Sequence, residues 1–268
     1  MNRNKEFSSE HLKFLRARKT NGIFITISRF SVIIIFLALW EILADLEIID
    51  SFIMSSPSRI AKTIGELFYS GDIYRHVITT LYETLAGFII ATIVGTAFAL
   101  AMWWSDNLRK IFEPYMIILN SLPKIALGPI IIVWFGSGAK SIIFMAFLIT
   151  VVVTTLTMIN GFCMAEENKI MLLKCMGAKK FQILTKLILP SSLPTFISCL
   201  KINVGMAWIG SIMGEYLSSK EGIGYLIVYG GHVFKLDLVM ASTVILCVLA
   251  GAMYALVALL ERIVVKKS

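Results

Sequence analysis

Six apolar stretches, each close to the length of a bilayer-crossing helix, constrain this chain more than any other feature. A membrane core takes about 20 apolar residues as a helix. Runs of that size lie at roughly Phe30–Leu46, Leu81–Trp103, Phe112–Phe135, Ser141–Phe162, Leu193–Met213 and Leu238–Leu260. With 57% apolar and 16% charged residues over 268 positions, a water-soluble fold would leave much of that surface wet. The chain reads as an all-α, multi-pass integral membrane protein, which excludes most soluble enzyme classes.

The net charge of +8 reads as topology, not as a nucleic-acid surface, because the basic residues lie mostly between the apolar runs. With the N-terminus placed in the cytoplasm, 16 of the 25 Lys and Arg fall on inner segments, 6 on outer loops and 3 near or within spans. Six spans with both termini cytoplasmic satisfy that bias. No small-residue cleavage site follows the first apolar run, so the first span is expected to stay in the protein. Residues 1–28 read as a cytoplasmic basic segment, of which Met1 to Lys19 form a basic helix or arm that anionic lipid attracts. Residues 29–80 read as the first transmembrane helix with an outer segment, 81–260 as the transmembrane core, and 261–268 as a basic cytoplasmic tail.

Within the spans, Gly87, Ala91, Gly95 and Ala99 share one helix face, and Gly210 and Gly214 form a second small-residue pair. Such spacing lets helix backbones approach closely in lipid. The third span holds Pro123, Lys124, Gly128 and Pro129, which must interrupt a helix. The interruption reads equally as a packing kink and as a stretch lining a solute path. Lys201 falls mid-way along the fifth span, where a cation is costly. It either lines a path or gate or pairs with a carboxylate, Glu83 and Glu41 being the candidates.

No catalytic constellation is found: His11, His76 and His232 are scattered, and the four cysteines lack metal-ligand spacing. No metal and no cofactor is expected on this chain. The Phe135–Ser141 segment lacks the GxxxxGK[ST] spacing of a phosphate loop.

The segment 165–189, between the fourth and fifth spans, is too long for a passive connector. Glu166 and Glu167 suit a helix N-terminus, apolar Met171, Leu173 and Met176 follow, and Gly177 suits a helix stop. A second short helix is expected from Lys179 to Ile188, with Phe181, Leu184 and Leu187 on one side, ending at Leu189-Pro190. The two pieces present an apolar ridge to lipid or to a protein at the inner surface.

Gly177-Ala178, with nine residues between Gly177 and Leu187-x-Leu189-Pro190, resembles the coupling-loop signature of ATP-binding-cassette (ABC) importer permeases. The family's Glu-Ala-Ala is absent, with Met171-Leu172-Leu173 in its place. Ser121–Ala126, Gly128-Pro129 and Val133–Gly136 resemble the subfamily that handles sulfonates, taurine, nitrate and thiamine precursors. So do Ser55–Ser58, Gly214-Glu215 and Gly222–Leu226.

The resemblance implies a MetI-like core of five helices preceded by one N-terminal helix, in the cell membrane of a prokaryote. It implies a non-catalytic permease subunit that imports a small, anionic solute or a vitamin precursor by alternating access. It implies as partners a cytoplasmic ATPase dimer carrying ATP and Mg, a second permease (another copy, as a homodimer, or a sister chain) and an extracytoplasmic solute-binding protein. Glu215 opens an outer segment, reaching Leu236, that is expected to dock or gate. The rival reading is a secondary transporter driven by an ion gradient.

Overall fold

The computed structural model describes residues 9–265, and every regular element among them is helical. Residues 1–8 of the predicted basic segment and 266–268 of the basic tail lie outside the described residues. The chain forms two units, Met1–Lys62 and Thr63–Ser268.

The first unit holds α1 (Ser9–Asp45), the short α2 (Ser51–Met54) and the beginning of α3 (Pro57–Ser70). The first predicted span falls on the second half of α1 and overruns its end by one residue, Leu46. Pro57 opens α3, where its missing N–H costs nothing. Glu41 Oε2 accepts the Ser58 N–H at 2.9 Å, and Ser56 Oγ donates to Glu41 Oε1 at 3.4 Å. Glu41 therefore caps α3 and is not the partner of Lys201.

The second unit is a helical bundle. Helices α4 (Asp72–Trp104), α7 (Ala139–Cys163), the run Lys180–Ser218 and α12 (Leu236–Val265) are each long and apolar enough to cross a membrane. The helices α5 (Asp106–Ser121) and α6 (Gly128–Phe135) make a fifth span bent by 87°. The bend follows from the chain's prolines. Leu122 is extended (φ −69, ψ 138), as a residue before proline prefers, and Pro123 has no N–H to continue α5. A 3₁₀ turn over Lys124–Leu127 follows, and Pro129 starts α6.

Shorter helices cap the bundle: α8 (Glu167–Cys175) and α9 (Lys180–Ile183) at one end, α11 (Ile223–His232) at the other, before α12 (Leu236–Val265). The second short helix does not stop at Leu189-Pro190. A π turn over Leu184–Ile188, in which the Leu189 N–H donates to the Leu184 carbonyl, carries it into α10 (Leu189–Ser218). A π turn shifts the bonding by one residue, so proline does not end the helix here.

Helix α7 is the centre, packed along both α4 and α10. Small residues set those approaches. A Cβ at Gly87 would lie 2.5 Å from Ala146 Cβ, one at Gly95 2.7 Å from Thr154 Cβ, and one at Gly210 2.4 Å from Ala146 Cα. A polar knot ties the same three helices. Asn203 of α10 donates to Thr92 Oγ1 of α4 at 3.1 Å and accepts from Thr154 Oγ1 of α7 at 3.1 Å. In lipid, such bonds replace water as the partner of a buried amide.

Candidate functional site

At the α8 end, the backbone makes a sharp corner. Glu166 caps α8 and pairs with Lys169 at 2.8 Å, and Glu167 occupies the first turn, where the helix dipole favours an acid. Gly177 adopts φ +81, the left-handed conformation that ends a helix, and the Ala178 N–H returns to the Leu173 carbonyl at 2.9 Å. After the corner, α9 begins at Lys180.

The apolar residues of this corner divide into two sets. Leu173, Ala178, Leu184 and Leu187 turn inward onto a core of Met158, Ile159, Phe162, Ile183 and Ile188. Met171, Leu172, Met176 and Phe181 point outward, Met176 being 75% and Phe181 64% exposed. The expected ridge of Phe181, Leu184 and Leu187 is thus split, with Phe181 alone of the three on the surface. Leu189 and Pro190 lie on the outside of the continuing helix. Beneath the corner, the Lys180 ammonium sits 5.7 Å from the Trp103 ring centre and 5.6 Å from that of Trp104, and donates to the Trp104 carbonyl at 2.6 Å.

The interrupted span has its own division. Gly128 is buried because a side chain there would meet Leu217 of α10 and Met145 of α7. Pro123 and Pro129 are exposed. Lys124 donates from Nζ to the Asn120 carbonyl at 3.3 Å. None of the side chains of α5 is buried.

Lys201 has a partner outside the two carboxylates expected for it. Its Nζ meets Glu261 Oε2 of α12 at 2.5 Å, with both side chains partly buried. Helix α12 reaches Val265, and a span drawn to Leu260 leaves Glu261 just outside. Neither Glu83 nor Glu41 pairs with Lys201.

Glu83 instead faces Glu215 at the α11 end. Each is 1% exposed, and their carboxyl groups lie within hydrogen-bond reach of one another. Glu215 Oε2 accepts the Gly224 N–H at 2.6 Å, with the Tyr225 N–H and Thr80 hydroxyl close by. The turn 219–224 wraps this carboxylate so closely that a Cβ at Gly222 (φ +110) would lie 2.4 Å from it. The same turn is tied to α4 by the Gly222 N–H to His76 Nδ1 at 3.0 Å and the Ile223 N–H to Thr80 Oγ1 at 2.8 Å. Arg75 and Glu221 form an ion pair beside it.

Over the pair opens a polar cleft of about 400 Å³, lined among others by Thr79, Glu83, Ser137, Ser218, Lys220 and Glu221. His76, Thr80 and the Glu83–Glu215 contact were not assembled from sequence, although acids inside apolar spans signal function by default. No cluster of three metal-ligating side chains occurs among the described residues.

A family model described as the binding-protein-dependent transport system inner membrane component matches residues 84–267. The chain is 31% identical, over 70% of its length and 75% of the relative's, to the formylaminopyrimidine transport permease protein ThiX of Halalkalibacterium halodurans. It is 25% identical to the putative aliphatic sulfonates transport permease protein SsuC of Bacillus subtilis, over 87% of this chain and 84% of that one. Against the taurine transport system permease protein TauC of Escherichia coli, identity is 23% over 81% and 80% of the two chains. In fold it resembles a chain of the MetNI methionine ABC transporter in an inward facing conformation, with TM-score 0.59 and 20% identity over 69% of this chain and 94% of that one. A chain of an amino acid ABC transporter superposes with TM-score 0.61 at 14% identity, over 74% and 96%.

Proposed function

Because the chain belongs to the family of binding-protein-dependent transport system inner membrane components, we propose that its α8–α9 corner couples a cytoplasmic ATPase to a solute path through the membrane. The chain is the transmembrane permease subunit of an ABC importer, a family that works with an ATPase and a solute-binding protein. The energy source is then ATP held on the partner with Mg, and this chain contributes mechanics.

One observation carries the coupling role: Met171, Leu172, Met176 and Phe181 stand exposed together on a corner whose inner side is well packed. A buried aromatic or methionine anchor commonly dominates an interface, and here such anchors wait on the surface. Met171-Leu172-Leu173 replaces the polar start of the family signature, so docking leans on apolar contact. The basic residues favour an α8 end in the cytoplasm, with both termini there and α11 on the outer face. A second permease copy, as a homodimer, completes the path, and α5 and α6 with their unburied faces are its candidate walls. Pro123, Lys124, Gly128 and Pro129 shape that wall. In closing on ATP, the ATPases drag the corners and rock the two permeases between inward and outward access.

The relatives named above for sulfonates, taurine and formylaminopyrimidine point to a small solute, either an anion or a vitamin precursor, delivered by the binding protein. The test is affinity purification of the tagged chain from its native chromosomal context in mild detergent. Recovery of a soluble Walker-motif ATPase is expected, together with a binding protein whose ligand names the solute. A chain active in uptake with no ATPase attached overturns the coupling role and restores the gradient-driven alternative.

A further inference from the structure

Buried carboxylate oxygens only accept hydrogen bonds, and each needs a donor. Glu83 Oε2 and Glu215 Oε1 are both buried and meet no donor among the described residues. The two carboxyl groups nevertheless lie against each other. Two charges in contact on side chains each 1% exposed repel strongly, and a single proton between them removes the repulsion and supplies a donor.

The surroundings decide which residue owns the proton. Glu215 faces the Gly224 N–H at 2.6 Å, with the Tyr225 N–H and the Thr80 hydroxyl close by, an environment that suits an anion. Glu83 Oε2 is buried with no donor among the described residues, which suits a neutral acid. We infer that Glu83 and Glu215 share one proton, with Glu83 as donor and Glu215 as anion, and that this pair positions the turn 219–224 against α4.

The groups around the pair come from every neighbouring element, and those that titrate come from α4, α10, α11 and the turn. Helix α4 supplies His76, which accepts from Gly222, and Arg75, which is paired to Glu221. The turn supplies Lys220 and Glu221 to the cleft, α10 supplies Tyr216 next to Glu215, and α11 supplies Tyr225, whose ring stacks on His76. The chain entering α7 lines the cleft with Ser137, Gly138 and Ala139, and α12 presents apolar Ile245, Leu246 and Leu249 to the neighbouring core.

The pH dependence has a definite sign. The closed turn holds the shared proton. Raising pH removes it, leaves two anions in contact and releases the turn. Replacing Glu83 by glutamine keeps a donor for Glu215 that cannot ionise. Replacing Glu215 by glutamine removes the anion around which Gly222 and Gly224 fold. The bearing of this turn on transport rests on the permease role proposed above, whereas its positioning does not.

Lys220 is exposed within the turn and provides a native reporter. The full chain, reconstituted in liposomes, is treated with trypsin across a pH series, and cleavage after Lys220 is normalised to cleavage of an unfolded substrate. The wild type is expected to resist at neutral pH and to become about tenfold more sensitive on the alkaline side, the scale set by losing one charge-assisted bond. Glu83→Gln is expected to resist throughout, and Glu215→Gln to be cleaved readily throughout. Infrared spectra should show a protonated carboxyl stretch in the wild type that Glu83→Gln removes. A wild-type profile without pH dependence, a Glu83→Gln variant as sensitive as Glu215→Gln, or the absence of that stretch overturns the proposal. These readouts need only the chain, so they fail separately from the ATPase co-purification.

Discussion

Gly210→Ala tests how closely α10 and α7 are held. A Cβ at this position would lie 2.4 Å from Ala146 Cα, 2.9 Å from Ala146 N and 3.1 Å from the Met145 carbonyl oxygen. All three are backbone atoms, so no rotamer change relieves the contact. Non-bonded carbons rest at about 3.5–4.0 Å, which requires the helices to move apart by about 1 Å, and a gap of 0.5–1 Å forfeits a quarter to a half of each contact along the seam. Overpacking of this kind costs about 1–3 kcal/mol. Contacts to backbone atoms put the cost in the upper half of that range, and alanine recovers about 1 kcal/mol through its better helix propensity, leaving a net loss of about 1–2 kcal/mol.

The control is built in: Gly205, on the same helix, has nothing within 4 Å of its would-be Cβ. Gly205→Ala should therefore hold or raise stability. The assay is the thermal midpoint of the purified chain in one detergent, followed by loss of the monodisperse size-exclusion peak. Gly210→Ala is expected to lose about 2–8 °C, taking about 2–4 °C per kcal/mol for a chain of this size. If both variants melt together, the α7–α10 approach is not as close as described, and the reasoning from backbone contact is refuted.

Three further outcomes are expected. Phe181→Ala or Met176→Ala should insert normally yet retain the ATPase about tenfold less well on detergent purification, whereas Leu184→Ala should lose about 2–5 kcal/mol of fold stability; equal ATPase retention in all three variants contradicts the split of the corner into inward and outward sets. Lys201→Met should reduce the yield of folded chain by stranding Glu261, and Lys201→Met with Glu261→Gln should restore it. A chain that assembles normally as Lys201→Met but fails in uptake, with no rescue, would instead place Lys201 on the solute path. Gly222→Ala, which forces a side chain into φ +110 and against Glu215, should cost about 1–3 kcal/mol, visible as trypsin sensitivity at Lys220 at neutral pH.

The apolar pattern located most of the spans because lipid demands continuous runs. Ser141–Phe162 became α7 at Ala139–Cys163, and the kinked third span bends where Pro123 and Pro129 required. The pattern fell short where polar residues extend a helix. Helix α4 starts at Asp72, not near Leu81, since His76 and Thr80 face the 219–224 turn and leave no apolar trace. Pro190 looked like a stop because the usual helix rules assume i→i−4 bonding, and the π turn before it rephases the helix. The stripe of Phe181, Leu184 and Leu187 did not stay on one side because the inward face of this segment is Ile183, Leu184, Leu187 and Ile188, which leaves Phe181 outside it. Glu215 stood out by its resemblance to the family pattern. Its contact with Glu83, like that of Lys201 with Glu261, is a tertiary fact that local spacing does not encode.

The uninterrupted run from Lys180 to Ser218 has a mechanical consequence. Its 39 residues trace about 58 Å at 1.5 Å per residue. Phe181 rides near one tip and Glu215 near the other, on a single hydrogen-bonded rod. For a rod of that length pivoting near its middle, one degree of tilt moves each tip by about 0.5 Å in opposite directions. A push where the ATPase is proposed to dock thus arrives at the far leaflet as a displacement of Glu215 on this rod against Glu83 on α4. The rod needs no relay of side chains between its tips, only a fulcrum, and α7 is packed against its middle.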